Sequence, residues 1–210
     1  MTTLNLQVAT GNDDSLTGSG ANNAGRSVTG SATVTLTDAI LPPGSHGNND
    51  ECTIAARFTG AAAIQGTTIN TATFQMRANA TYDAGGNVVK FYVSAHDADS
   101  PAALTNTAGD LNITARPRTT ATAVWTQTAV TGGNWYTVDI TSVIQELADR
   151  PGFGGTIVIL VDTHEDTTTG EWQDYDSYNG APAAAPKLDI DYSAGGTEPP
   201  GKMTPNRGIW

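Results

Sequence analysis

The sequence predicts an all-β fold, a jelly-roll β-sandwich with one short α-helix at about residues 142–149 and an extended C-terminal tail. Three observations predict it. Apolar residues recur two apart in one segment after another, the period of a strand with one buried face. Runs of Gly, Pro, Asn and Asp separate those segments. Only "TSVIQELADRPG" carries the period of a helix. The composition agrees. Of 210 residues, 38% are hydrophobic and 15% charged, and Thr, Ala, Gly, Asn and Ser supply much of the rest, as suits strands whose outer faces are polar but uncharged. A chain of this length buries a sizeable core without disulfide or metal staples.

The elements follow in order. "LNLQVAT" alternates from the start and reads as a first strand, and "GNDDSLTGSGANNAG" as a long loop. "RSVTGSATVTLTDAI" places Val34 and Leu36 on one face, with Thr33, Thr35 and Thr37 on the other. "LPPGSHGNNDE" is a loop, since paired prolines do not join a sheet interior. "CTIAARFTG" turns Ile54, Ala56 and Phe58 inward. "TINTATFQMRANATY" continues through Ile69, Ala72, Phe74 and Met76, and its break in period at Asn70–Thr71 predicts a bulge or a phase shift. After the "GGN" turn, "VVKFYVSAHDA" is apolar almost throughout its first half, the mark of a central strand. The next stretch is loop-rich, with weak helical character near Leu104, before the strands "TATAVWTQ" and "NWYTVDIT". In the helix, Val143, Ile144 and Leu147 share a face. Ser142 and Gln145 have capping-box spacing, and Pro151 and Gly152 stop the helix. "GGTIVILVDTHE" is a buried strand, and "PKLDIDYS" closes the domain with Leu188, Ile190 and Tyr192 on one face. The domain therefore spans residues 1–193. Residues 194–210, "AGGTEPPGKMTPNRGIW" from Ala194, are rich in Pro and Gly and read as a linker or arm. About ten short strands of this kind make a sandwich, and the long loops and crossing helix favour a jelly roll.

The charge narrows the partners. A formal charge of −11 with a pI near 4.4 repels phosphate backbones and anionic membranes, so neither nucleic acid nor membrane is an expected partner. Cys52 is the sole cysteine, which excludes an internal disulfide, and its expected place is inside a strand. "MTTLNLQVATGNDD" has neither the basic nor the apolar region of a signal peptide. A composition of extracellular type without an export signal suits a virion component, assembled in host cytoplasm and working outside. A piece of a larger secreted protein would look the same.

Candidate sites are few. Glu165 with Asp166, or Glu171 with Asp174, could form the carboxylate pair of a glycosidase, but they sit in the polar loop "DTHEDTTTGEWQDYD", which offers no apolar pocket to raise one pKa. His46, His96 and His164 are far apart in sequence. Calcium suits the chain better than zinc: Asp13 and Asp14 offer hard oxygens beside the first strand, and Asp189 or Asp191 on the last strand could complete a structural site. No other cofactor is expected. Trp125 reads as core, Trp135 as core or platform, and Trp172, in the acidic loop, as the most exposed tryptophan. Trp172, Tyr175, Tyr178 and Trp135 are the candidate contacts for a ligand or partner, the alternative for Tyr175 and Tyr178 being a loop that packs over the sandwich edge. In the tail, Lys202, Met203, Arg207, Ile209 and Trp210 suit docking into an acidic, apolar groove on another protein, or else form an unordered terminus.

Several pieces together resemble a known family. "LNLQVATGNDD", "ARFTG…IQGTTINTATFQMRA", "AHDADSPAAL", "VDITSVIQELADRPGFGG" and "YDSYNGAPAAAPKLDIDYS" are similar to the DNRLRE-type, carbohydrate-binding-module-like jelly rolls of secreted bacterial proteins and tailed-bacteriophage structural proteins. The resemblance covers roughly residues 4 to 193 and is most specific in the spacing from helix to last strand. It implies a packed Tyr192, places Tyr175 and Tyr178 in the turn before the last strand, and makes structural calcium a common accompaniment. The function it implies is that of a non-enzymatic virion structural protein in a capsid decoration, tail or fibre. Such a protein would be a homo-oligomer bound to other virion proteins at the virion surface and would contact host-surface or environmental glycans. The alternative is an extracellular carbohydrate-binding module of a secreted or cell-surface protein.

Overall fold

A computed structural model describes residues 1–18, 33–45, 51–83, 85, 87–105 and 116–194. Among the described residues the strands are β1 (Thr2–Gln7), β2 (Asp14–Gly18), β3 (Thr33–Thr35), β4 (Ile40–Leu41), β5 (Gly44–Ser45), β6 (Glu51–Thr59), β7 (Thr68–Arg77), β8 (Tyr82–Asp83), β9 (Val89–Ala95), β10 (Ala123–Gln127), β11 (Ala129–Val130), β12 (Trp135–Asp139), β13 (Thr156–Thr163), β14 (Tyr175–Asp176) and β15 (Lys187–Ser193). The single α-helix among the described residues, α1, spans Thr141–Ala148. No helix among them is long and apolar enough to cross a membrane.

Two antiparallel sheets form the predicted sandwich. Sheet A has the order β1-β15-β7-β12, and sheet B runs β10-β9-β13-β6-β2-β3 with β5 attached to β6. The chain crosses between the sheets repeatedly, and its first and last strands pair, giving the jelly-roll character. The inward residues are those that the alternation selects. Ile54, Ala56, Phe58, Phe91, Val93, Ile157, Ile159 and Val161 of sheet B face Ala72, Phe74, Met76, Leu188 and Ile190 of sheet A in one core. Phe74 sits edge-on to both Phe58 and Trp125, at 6.3 Å between ring centroids in each case, and so joins the two layers. Each large apolar side chain buried this way contributes about 1.5–3 kcal/mol.

The break in period at Asn70 is a bulge: Thr71 pairs with Asp191 but Ile69 pairs with Tyr192, so Asn70 has no opposite number. The helix forms one residue earlier than expected, and the Ser142–Gln145 capping box does not form, because Gln145 is used elsewhere. Its Oε1 accepts the Ile69 N–H at 2.8 Å and its Nε2 donates to the Thr67 carbonyl at 3.0 Å, tying the helix to the start of β7. Asp139 accepts the Thr141 N–H at 2.8 Å instead. A second difference is β2, which lies inside the segment read as a loop. It pairs with β6 from Asp14 opposite Ala56 to Thr17 opposite Thr53. Pairing with a distant strand overrides the weak strand preference of Asp, Ser and Gly.

Candidate functional site

The outer face of sheet A is a grid set by strand register. One row holds Thr3, Asp191 and Thr71; the next Asn5, Asp189, Thr73 and Asp139; the third Gln7, Lys187, Gln75 and Thr137; the fourth Arg77 and Trp135. These side chains point outward because Leu188, Ile190, Ala72 and Phe74, which alternate with them, are fully buried. Most of the grid is neutral and polar.

Local hydrogen bonds hold the face in shape. Thr3 donates to Asp191 Oδ1 at 2.5 Å and Thr71 to Asp191 Oδ2 at 3.3 Å, while Gln75 Nε2 donates to Asp189. Hydrogen bonds from Thr141 hold the Asp139 carboxyl below the usual range. Three shallow grooves line the face. The first, about 390 Å³, lies over Thr3, Asn5, Thr73, Gln75, Asp189 and Asp191. The second, about 400 Å³, shares Asn5, Gln75 and Asp189 and adds Gln7 and Lys187. The third, about 430 Å³, lies between Arg77, Trp135 and the Ala181–Ala184 turn. The Lys187 ammonium rests 4.1 Å from the centroid of the Trp135 ring. Arg77 donates to Asp176 at 2.7 Å and to the Gly133 carbonyl at 3.0 Å.

Of the four aromatic candidates, only Trp135 belongs to this face. Tyr175 takes the packed alternative, and its place as a ligand contact is corrected: it is fully buried and stacks on Trp125 at 5.5 Å, so its ring is closed to a ligand. The cause is β14, which pairs Tyr175 with Leu41 and draws the turn into the core. Tyr178 is half-buried against the core, and its N–H donates to Asp14. Trp172 is half-buried rather than open. It forms a β-bridge with Gly44, where φ is +132° and a Cβ would lie 2.6 Å from the Trp172 Cα, so only glycine permits that approach.

The calcium quartet is not assembled. Asp13 pairs with Arg57 at 2.8 Å, and Asp14 accepts the Tyr178 N–H at 2.5 Å. Both are buried beside sheet B, whereas Asp189 and Asp191 lie on the outer face of sheet A. Pairing of the first and last strands does not help, because Asp13 and Asp14 come after β1 has ended and the chain has passed to the other sheet. Among the described residues, no three His, Cys, Asp or Glu gather where a metal could sit. Burial raises the Asp14 carboxyl to about 7.

The acidic loop is tied down piece by piece. Glu165 accepts from Tyr92 at 2.8 Å, Asp166 pairs with Lys90 at 2.7 Å, and Glu171 accepts from Asn87 at 2.6 Å. His164 stacks on Tyr92 at 4.2 Å and accepts the Asp166 N–H through Nδ1. His46 and the tail residues Lys202, Met203, Arg207, Ile209 and Trp210 lie outside the described residues. Sequence reasoning missed Asn5, Thr73, Gln75, Arg77 and Lys187. Their signal was the polar half of the same alternation that revealed the core.

Compared with protein-family models and with curated proteins, the chain matches none.

Proposed function

We propose that the chain is a non-enzymatic structural protein of a bacteriophage virion, part of a capsid decoration, tail or fibre, which turns the outer face of sheet A toward host-surface or environmental glycans. The observation that carries the glycan reading is the grid itself. Neutral donors and acceptors on Thr, Asn and Gln, ordered by strand register, suit a ligand made of hydroxyl groups, and Trp135 at one end supplies an aromatic surface for the C–H face of a sugar ring. The virion setting rests on the resemblance to phage jelly rolls. The engagement of Glu165, Asp166 and Glu171 by neighbouring side chains supports a passive role over hydrolysis. A module of a secreted or cell-surface protein would use the same face.

Two measurements test this. Binding to a panel of immobilised glycans should occur at micromolar to millimolar strength, and Trp135→Ala should weaken it at least about tenfold with little change in melting temperature. Silence across the panel refutes the glycan reading. Mass spectrometry of purified virions should find the chain in stoichiometric amount, together with its assembly partners and its own copy number. Its absence from particles refutes the virion setting.

A further inference from the structure

Charge on the outer face of sheet A is sorted by end. Asp191, Asp189 and Asp139 occupy the first two rows, while Lys187 and Arg77 occupy the last two. Along β15 alone, Asp191 and Lys187 stand four residues apart, roughly 13 Å at about 3.3 Å per residue. From this arrangement, and resting on the reading of the face as a glycan surface, we infer that the Lys187 end accepts an anionic group carried on a sugar, a uronate carboxylate or a sulfate ester, so that the glycans selected are acidic.

Lys187 carries the argument. The chain has 21 Asp and Glu against 10 Lys and Arg, so carboxylate partners are plentiful, and other cations take them. Arg57 pairs with Asp13, Arg77 with Asp176, Lys90 with Asp166, Arg118 with Asp162, and Arg150 with Asp97 and Asp99. Lys187 makes no ion pair among the described residues. Asp189, two positions along the same strand, is engaged by Gln75 instead. The ammonium is held over the Trp135 ring, a contact that steadies the side chain without neutralising its charge. An ordered cation without a counter-ion, beside an open groove and an aromatic surface, is prepared for an anion: part of the ordering cost is already met, and the bond formed is charge-assisted.

The far end of the face sets direction. Asp189 and Asp191 repel an anion but accept hydrogen bonds from hydroxyl groups, so an acidic sugar docks with its charge toward Lys187 and its neutral rings over the carboxylates. Arg77, fixed by Asp176 and the Gly133 carbonyl, adds a positioned second cation beyond Trp135. The net charge of −11 opposes this only weakly in physiological salt, where the screening length is about 8 Å and most of the acidic residues lie on other surfaces.

The test uses the full chain and calorimetry with three probes: hexagalacturonate, its methyl ester, which is the same chain without charge, and a sulfated dextran oligosaccharide of similar length. The acid or the sulfate should bind at least about tenfold more tightly than the methyl ester, and whichever does so identifies the anion. Lys187→Gln, with an unchanged melting temperature, should shrink that preference to less than about twofold. Equal affinity for all three probes, or a preference for an anion that survives Lys187→Gln, overturns the inference and leaves the glycan reading standing. Binding to none of the three, with binding to other neutral members of the glycan panel, overturns the inference alone. Binding to none of the three and to nothing in the panel overturns both.

Discussion

On sheet A, outward positions such as Thr3, Asn5, Thr73 and Thr137 stand in solvent-accessible grooves. At the centre of sheet B, on β6 and β13, the outward positions are covered, whereas Val124 on the edge strand β10 is exposed. Ala55, Val158 and Leu160 are fully buried and pack with Leu104 from the following loop, with Leu36 alongside. Thr53 donates to Asp162, which also receives a two-point clamp from Arg118 at 2.8 and 2.9 Å. The middle of the outer face of sheet B is thus accounted for by packing and pairing. That of sheet A is not: a half-buried Trp, a Lys with no ion pair among the described residues and rows of Thr and Gln contribute little to folding. The surplus chemistry on the bare face is what supports the role proposed for it, whereas a polar residue on the covered face is explained by its neighbour.

The largest effect expected in sheet B is at Asp14, which stands opposite the inward-facing Ala56. Burial raises its carboxyl from 3.8 to about 7, so the folded chain retains a proton that the unfolded chain releases. This contribution is fully present below pH 3.8 and is lost as pH rises through about 7. At about 1.4 kcal/mol per unit, Asp14→Asn should stabilise the protein at pH 8 by up to about 4 kcal/mol, and urea unfolding across pH should show the wild-type decline flattened in the variant. An unchanged slope would assign the pH dependence elsewhere.

Next, Leu160→Ala should cost about 3 kcal/mol, as a cavity beneath Leu104, although its side chain lies on an outward position of the sheet. The smallest effect belongs to the bare face: Thr73→Ala should change stability by less than about 0.5 kcal/mol. Denaturant unfolding of the two variants side by side breaks the comparison if their costs are equal.

How legible the fold was depended on how local its causes are. Continuous apolar runs announced β9 and β13, Leu188, Ile190 and Tyr192 two apart announced β15, and the slip at Asn70 announced a break in pairing, because two-sided and one-sided burial each impose their own pattern directly. β2 and β14 were hidden, since "DSLTG" and "YD" are strands only by virtue of β6 and Leu41, far away in the chain. Tyr175 illustrates the cost: a tyrosine in a turn-rich stretch reads as surface until a distant partner draws it inside. The site was half legible. Trp135, Asp189 and Asp191 stood out by type, but the meaning of Lys187 depends on its lying over a ring that β12 delivers from about fifty residues earlier.

One feature of sheet A constrains how the molecule comes into being. β1 pairs along its length with β15, Thr2 opposite Tyr192 and Gln7 opposite Lys187, and β15 lies between β1 and β7. The opening strand leaves the ribosome with its hydrogen-bonding partner still unsynthesised. Sheet B can assemble from nascent chain through β13, but the outer face of sheet A does not exist until β15 slides into the middle of that sheet. Contacts of such long sequence separation close slowly, so a chain that stalls or is cleaved shortly before Lys187 exposes two unfinished edges open to aggregation.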